Sequence, residues 1–220
     1  MDLIVQLTKE LKLPQHSVAS AVDLLDAGNT IPFIARYRKE MTGELDENQL
    51  RSIEERLSYL RSLEKRKEEV LKSIAEQGKL SPELEAKIQA ATILQEVEDL
   101  YLPYRPKRRT RASMAKEKGL EPLAEALLAQ PLTAKQLTQC AEAFINADLG
   151  VSSVEEALAG AQDIIAERVA EDADHRRYVR NVTYQKGVVR TKAVDEAKKS
   201  DFEMYYEYQE PLHRLPPHRV

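Results

Sequence analysis

The sequence predicts an all-α chain of several helices built on one long central helix, and three observations predict it. Glu, Lys, Leu, Ala and Arg dominate a chain of 220 residues that has only 7 glycines and no tryptophan, a usage that favours helix. The glycines fall as stops. Gly28, Gly78, Gly119, Gly150 and Gly187 each follow a run of helical apolar spacing, and four of them are followed within two residues by Leu80, Leu120, Val151 or Val188. That is the pattern of a left-handed C-terminal cap with its apolar contact. The starts match the stops. Ser81-Pro82-Glu83 puts a hydroxyl at the cap and proline at the first helical position, where its missing N–H does no harm. Thr92-x-x-Gln95, Thr133-x-x-Gln136 and Ser153-x-x-Glu156 read as capping boxes, in which side chain and backbone satisfy each other's free donors.

Taken in order, these signals predict helices at about 3–13, 15–27, 46–77, 82–91, 93–101, 112–118, 122–129, 134–145, 154–170 and 174–186. The first is an amphipathic stretch, MDLIVQLTKELKL, and the second stops at Gly28. The third carries Leu50, Ile53, Leu57, Leu60, Leu63, Val70 and Ile74 on one side. Their three-four spacing lays an apolar stripe along about 48 Å at 1.5 Å per residue. A rod of that length suits a spine for smaller helices; a coiled-coil seam is the alternative, but the stripe lapses at Arg66-Lys67. The fourth and fifth open at the Ser81 and Thr92 caps, the sixth stops at Gly119, and the eighth and ninth open at the Thr133 and Ser153 boxes. The tenth stops at Gly187, after which Val188-Val189-Arg190-Thr191 is a candidate extended piece. Residues 195–200 are polar, and Phe202, Tyr205, Tyr206 and Tyr208 cluster before Pro211.

Hydrophobic residues make up 42% of the chain and charged residues 32%, enough for a core beneath a wide solvated surface. Cys140 is the only cysteine, so no internal disulfide is expected, and its apolar helical setting in LTQCAEAF reads as a buried, inert thiol. The opening residues lack the pattern of a signal peptide, and no run approaches the ~20 apolar residues of a membrane span. A soluble, cytoplasmic protein with no membrane partner is expected. The net charge of −4 is unevenly spread. From Arg105 to Lys118 seven cations face one acid, a local +6 against −10 on the remainder, and a basic patch on an acidic body still attracts phosphate locally.

The residues offer little chemistry. No phosphate loop, dinucleotide fingerprint, HExxH or CxxC is present. The histidines, His16, His175, His213 and His218, are too scattered for a metal site, and the pairs Glu54-Glu55, Glu68-Glu69 and Glu155-Glu156 lie among lysines and arginines as solvated faces. No enzyme, cofactor, metal or small-molecule substrate is expected.

Two segments stand apart from the helix rules. In the first, Thr30 to Glu40, apolar and cationic groups interleave, with Arg36, Tyr37, Arg38 and Lys39 in a row. Arginine and tyrosine together can stack on bases and pair with phosphates. The plainer reading, which we favour, puts Ile31, Phe33, Ile34 and Tyr37 in the core and pairs the arginines with helix acids. In the second, Leu100 to Ala112, Pro103 and Pro106 forbid a continuous helix and hold an extended path. Arg105, Lys107, Arg108, Arg109 and Arg111 line it, with Tyr101 and Tyr104 at its entry. Such a segment can follow a phosphate backbone while tyrosines offer a stacking face. Arg105 and Arg108 could equally be clamped by helix ends or acids of the same domain.

These same segments carry a family likeness. TIPFIARYRKEMTGELDE (30–47) and DLYLPYRPKRRTRASMAKEKGLEPLA (99–124) resemble the N-terminal region of the bacterial Tex family of transcription accessory proteins. So do Ile164-Ile165-Ala166-Glu167-Arg168 and the ending that runs from Phe202 through Tyr205, Tyr208 and Glu210-Pro211 to Pro217-His218-Arg219. The likeness implies a Tex-like N-terminal helical region over 1–200, with a helix-turn-helix-like part. Residues 201–220 would then begin the passage to an RNase-H-like domain, followed in the family by helix-hairpin-helix modules and an OB-fold domain. It also implies RNA or DNA as partner, bound mainly through those other domains, and an association with RNA polymerase like that of a eukaryotic elongation factor.

Two functions remain for these residues. One is phosphate contact through Arg105, Lys107, Arg108, Arg109 and Arg111, with Tyr101 or Tyr104 stacking and Arg36 and Arg38 as further contacts. The other is a protein-interaction scaffold with no nucleic-acid contact, which docks RNA polymerase or the parent's other domains and exposes an apolar patch at 202–215.

Overall fold

The computed structural model describes residues 2–106, 108–129, 134–195, 199–216 and 219. The chain divides into two compact units, residues 1–97 and 98–220. Among the described residues, eleven α-helices and a two-stranded ribbon form the regular structure, so the predicted helical class holds and the ribbon adds to it.

The first unit opens with α1 (Leu3–Leu11), whose cap Asp2 accepts from the Ile4 amide at 3.0 Å. It continues through α2 (Gln15–Asp26) and α3 (Ile31–Tyr37) to the long α4 (Glu47–Glu76), then α5 (Pro82–Ala90) and the start of α6 (Leu94–Tyr101). α3 was not predicted. Pro32 falls in its first turn, where a missing N–H breaks no helical bond. Burial of Ile31 and Ile34 then closes the turn. The other helices start and end within about three residues of their predicted bounds.

α4 starts at a capping box that the sequence reading missed. The Gln49 amide donates to Asp46 Oδ1 at 2.8 Å, and the Asp46 amide donates to Gln49 Oε1 at 3.0 Å. All seven residues of the predicted stripe are buried. Leu50, Ile53, Leu57 and Leu60 share one core with Leu7, Val18, Ala21, Val22, Ile31, Ile34 and Leu45, so this half of the stripe is packed inside its own unit rather than left as a seam. The apparent lapse at Lys67 is a buried junction. Its side chain is only 4% exposed, and Nζ donates to Glu64 Oε1 at 2.8 Å and to the Gln89 carbonyl at 3.0 Å. That carbonyl lies in the last turn of α5, where the helix dipole is negative and favours a cation. Nearer the start of α4, Arg56 donates to Glu10 of α1 at 3.0 Å and lies 4.5 Å from the Tyr59 ring centroid. The same guanidinium holds the Glu10 carboxyl below its ordinary value. The Tyr59 hydroxyl in turn accepts from the amide of Leu94, the first residue of α6, at 3.0 Å.

The second unit contains α7 (Arg111–Glu117), α8 (Glu121–Ala129), α9 (Ala134–Glu142), α10 (Val154–Glu171) and α11 (Ala173–Lys186). Its core is rich in small residues: Ala112 and Ala115 of α7, and Ala157 and Ala161 of α10, surround Leu120, Leu123 and Ile164. Small side chains let α7 approach α10 closely. A Cβ at Gly160 would stand 2.4 Å from Leu120 Cδ1 and 3.3 Å from Ala115 Cβ. α11 leads into the antiparallel ribbon of β1 (Val188–Lys192) and β2 (Glu207–Pro211), which pairs Val188 with Pro211 and Arg190 with Gln209. β1 covers the candidate extended piece; β2 had no local signal.

The predicted stops hold at Gly28, Gly78 and Gly119, whereas Gly150 closes a 3-10 turn, Ala147–Leu149, after α9 has already ended; all four glycines have left-handed φ. Gly28, Gly78 and Gly119 close the paired bonds of a Schellman motif, as in Lys79 N–H to the Ile74 carbonyl (3.2 Å) and Gly78 N–H to that of Ala75 (2.9 Å). Gly187 differs. It is extended, at φ −68°, and a Cβ there would lie 2.2 Å from the Thr183 carbonyl oxygen, so closeness rather than handedness selects glycine. The boxes are also displaced. The Thr92 amide donates to Glu96 rather than Gln95, at 2.9 Å. Glu156 accepts from the Ser152 amide at 2.7 Å while its own amide donates to Ser153 Oγ at 3.2 Å. The Thr133 box lies outside the described residues.

Lys67→Ala should destabilise the chain by about 2 kcal/mol in urea unfolding, since charge-assisted bonds are worth roughly 1.5–3 kcal/mol. Lys67→Met, which keeps the stem, should lose less; a loss for Lys67→Ala no larger than that of an exposed lysine would refute the junction. Gly160→Val should lower stability by about 2 kcal/mol through overpacking, and an unchanged melting temperature would show that α7 and α10 can part.

Candidate nucleic-acid interface

α6 ends at Tyr101 and passes into a tight turn, Leu102–Tyr104, because Pro103 tolerates the start of a 3-10 turn but not the middle of a helix. Arg105 is extended, at φ −65° and ψ 132°, so the predicted extended path begins one turn later than proline spacing alone suggests. It ends at Thr110, the cap of α7. The Thr110 hydroxyl accepts from the Ser113 amide at 3.0 Å and donates to Glu167 of α10 at 2.9 Å. Ser113 Oγ accepts from the Thr110 amide at 2.9 Å. The basic segment is thus held between a helix end and a doubly tethered cap.

Its cations face solvent. Arg105, Arg108, Arg109 and Arg111 are exposed, and Lys107 lies outside the described residues. Arg109 pairs with Glu117 at 2.9 Å and Arg111 with Asp163 at 3.4 Å, yet their side chains stay 70% and 82% exposed. Such surface pairs are worth only about 0–1 kcal/mol, so both guanidiniums can exchange partner. Among the described residues no carboxylate pairs with Arg105 or Arg108. Both are therefore exposed with no acid beside them among the described residues. The two tyrosines differ from expectation in another way. Tyr101 is buried at 9% exposure and belongs to the interior, whereas Tyr104 is half-buried.

Arg36 and Arg38, on and just after α3, are exposed. The plainer reading holds for Ile31 and Ile34, which are core, but not for Tyr37, which is 65% exposed, and among the described residues no acid pairs with Arg36 or Arg38. Arg38 donates to the Tyr37 carbonyl at 3.0 Å instead of to an acid.

One charged cluster could not be read from local sequence. The Asp99 side chain is 4% exposed and accepts from Arg176 Nε at 2.9 Å and from Arg180 Nη2 at 2.5 Å. The i, i+4 spacing of the two arginines on α11 was a signal that both face one way, though not toward what. With Val169, Ala170, His175 and Val179 they also line a recess of about 390 Å³. These arginines hold the fold. At the chain's end, Arg219 donates to Glu210 at 3.1 Å and to the Tyr208 hydroxyl at 3.2 Å, while His218 lies outside the described residues. His213 and Arg214 are exposed in a 3-10 turn. Among the described residues no three His, Cys, Asp or Glu side chains are placed to share a metal ion, and no helix is long and apolar enough to cross a membrane.

Residues 1–75 match the family model for the Tex-like protein N-terminal domain, and residues 133–220 match the Tex central region-like model. Protein tex of Bordetella pertussis is 48% identical over 220 residues, covering 99% of this chain and 28% of that protein. Transcriptional accessory protein Tex of Neisseria gonorrhoeae is 45% identical over 223 residues, covering 100% of this chain and 29% of that protein. The human S1 RNA-binding domain-containing protein 1 is 28% identical over 229 residues, covering 100% and 22%. The chain therefore spans less than a third of the length of these relatives.

Asp99→Ala should release α11. Removing the partner of a buried pair costs several kcal/mol, discounted here because both arginines can rehydrate, so amide exchange in α11 should speed up by about tenfold. Exchange unchanged throughout α11 would mean that other contacts hold the helix.

Proposed function

Since this chain belongs to the Tex family, we propose that it is the non-catalytic helical region of a nucleic-acid-binding transcription accessory factor that works in the cytoplasm. In this reading it is a scaffold that also touches the phosphate backbone through the segment from Arg105 to Arg111. The observation that carries the proposal is the exposure of Arg105 and Arg108 with no carboxylate partner among the described residues. An exposed cation with no acid beside it is free to displace the counterions of a phosphate chain. The human relative, an S1 RNA-binding domain-containing protein, supports nucleic acid as the class of partner. Lys107 is part of the proposed contact by its place in the segment, and Tyr104, at the segment's entry, is the tyrosine left to stack. A helix-turn-helix-like use of α7 and α8 fits the same proposal. The two are joined by Lys118, Gly119 and Leu120 alone, with Gly119 left-handed, which is the connection length of that motif.

A second reading, a scaffold that docks RNA polymerase or other domains of the parent, is favoured by a different observation. Phe202 is 68% and Met204 73% exposed, and large exposed apolar groups mark interaction sites.

Fluorescence anisotropy of the folded chain with single-stranded RNA and with duplex DNA separates the two. If Arg105, Lys107, Arg108, Arg109 and Arg111 each neutralise one phosphate, affinity for the single strand should fall about 100-fold between roughly 50 and 200 mM salt. Arg108→Glu/Arg109→Glu should abolish most binding while helical circular dichroism is kept. A folded chain that binds neither probe at about 50 mM salt would make the basic segment architecture and leave the docking scaffold.

A further inference from the structure

The outward side of α3 holds chemistry that neither the core nor the basic segment uses. Ile31 and Ile34 turn inward and are buried, so helical spacing sends Phe33, Arg36 and Tyr37 to the opposite side. The Phe33 and Tyr37 rings are neighbours, with centroids 5.3 Å apart and planes tilted by 48°. The Arg38 guanidinium carbon sits 5.3 Å from the Phe33 centroid. One side of this aromatic pair is therefore braced by a cation, while Tyr37 stays 65% exposed. Arg36 is exposed with no carboxylate partner among the described residues, and Lys39 reaches only Glu44, at 3.4 Å.

Stability does not account for this arrangement. An aromatic pair at i, i+4 adds little to a helix, and a lysine or glutamate at position 37 would leave no ring in water. Three features instead match one ligand chemistry: an exposed ring, a second ring that fixes its orientation, and two guanidiniums without acids. Proteins that hold single strands combine stacking rings with cations along the backbone, and only an unpaired base can offer its flat face to a side chain.

We propose that this side of α3 is a stacking platform for unpaired nucleotides, with one base on the Tyr37 ring and the flanking phosphates neutralised by Arg36 and Arg38. The platform rests on the reading of the chain as a nucleic-acid-contacting region, but it lies in the first unit and uses residues other than the basic segment.

The test compares labelled oligo(U) with an abasic oligomer of the same length, which has the phosphates and lacks the bases, using the 220-residue chain at low salt. Oligo(U) should bind about tenfold more tightly than the abasic oligomer. Tyr37→Leu keeps the apolar i, i+4 contact with Phe33 and the unfolding midpoint, and should reduce oligo(U) to the abasic level; Tyr37→Phe should retain the preference. Equal binding of the two oligomers, or an undiminished preference in Tyr37→Leu, overturns the platform. So does Tyr37-dependent binding of a labelled acidic peptide without any base-dependent binding, which would assign the same face to a protein partner. The Arg108→Glu/Arg109→Glu variant separates the two sites. A parallel loss for both oligomers, with the preference kept, supports both readings. No loss for either oligomer, with the preference kept, removes the basic segment and leaves the platform. Binding of neither oligomer by the unaltered chain removes both.

Discussion

An isolated helix shorter than about 12–15 residues is marginal in water, and the first unit begins with three, of 9, 12 and 7 residues. What lets them persist is the apolar stripe of α4, 30 residues long, which gives each a surface to cover. Each fully buried leucine or isoleucine on it contributes roughly 1.5–3 kcal/mol, far more than any cap or surface ion pair nearby. The polar contacts decide where the short helices sit rather than whether they form. Glu10 meets Arg56, and Asp26 meets Arg61 through two bonds of 2.7 and 2.6 Å. Both carboxyls are held below their ordinary values by the arginine that faces them.

How much of this was legible depended on whether the deciding contact was local. The stripe from Leu50 to Ile74 could be read because a period of three and four is written along one helix. The starts could be read because a cap and its partner are three residues apart, although the Thr92 amide found Glu96 instead of Gln95 and the Glu156 carboxylate found the amide of Ser152 instead of Ser153. Where tertiary context decided, local reading failed. Lys67 looked like a lapse because its acceptor, the Gln89 carbonyl, is 22 residues away. Tyr37 read as core and Tyr101 as a stacking face, yet packing buries Tyr101 and leaves Tyr37 in water. β2 carries no turn signal that ties it to β1 across the residues between them.

The candidate interface was legible as composition and opaque as geometry. A cationic run shows in any reading of charge, but whether each cation is already occupied depends on acids elsewhere in the chain. Arg176 and Arg180 share one buried carboxylate 77 and 81 residues away, so they belong to the fold. Arg105, Arg108 and Arg36 meet no carboxylate among the described residues. The sorting turns on desolvation. A guanidinium beside a buried acid is held by the high free energy of leaving that acid alone, whereas one in water changes partner at almost no cost.

Asp172 serves as the last residue of one helix and the first of the next: α10 closes on it, and its carboxylate accepts from the His175 amide at 2.8 Å. With no spare residue between α10 and α11, the joint has no slack in which φ and ψ could turn without breaking a cap. At the far end of α11, Gly187 leaves no room for a Cβ against the Thr183 carbonyl, so the passage into the ribbon is equally tight. Each end of α11 is therefore set by a single residue, Asp172 through its carboxylate and Gly187 through its missing Cβ, so a substitution at either one would shift where the helix begins or how the ribbon leaves it.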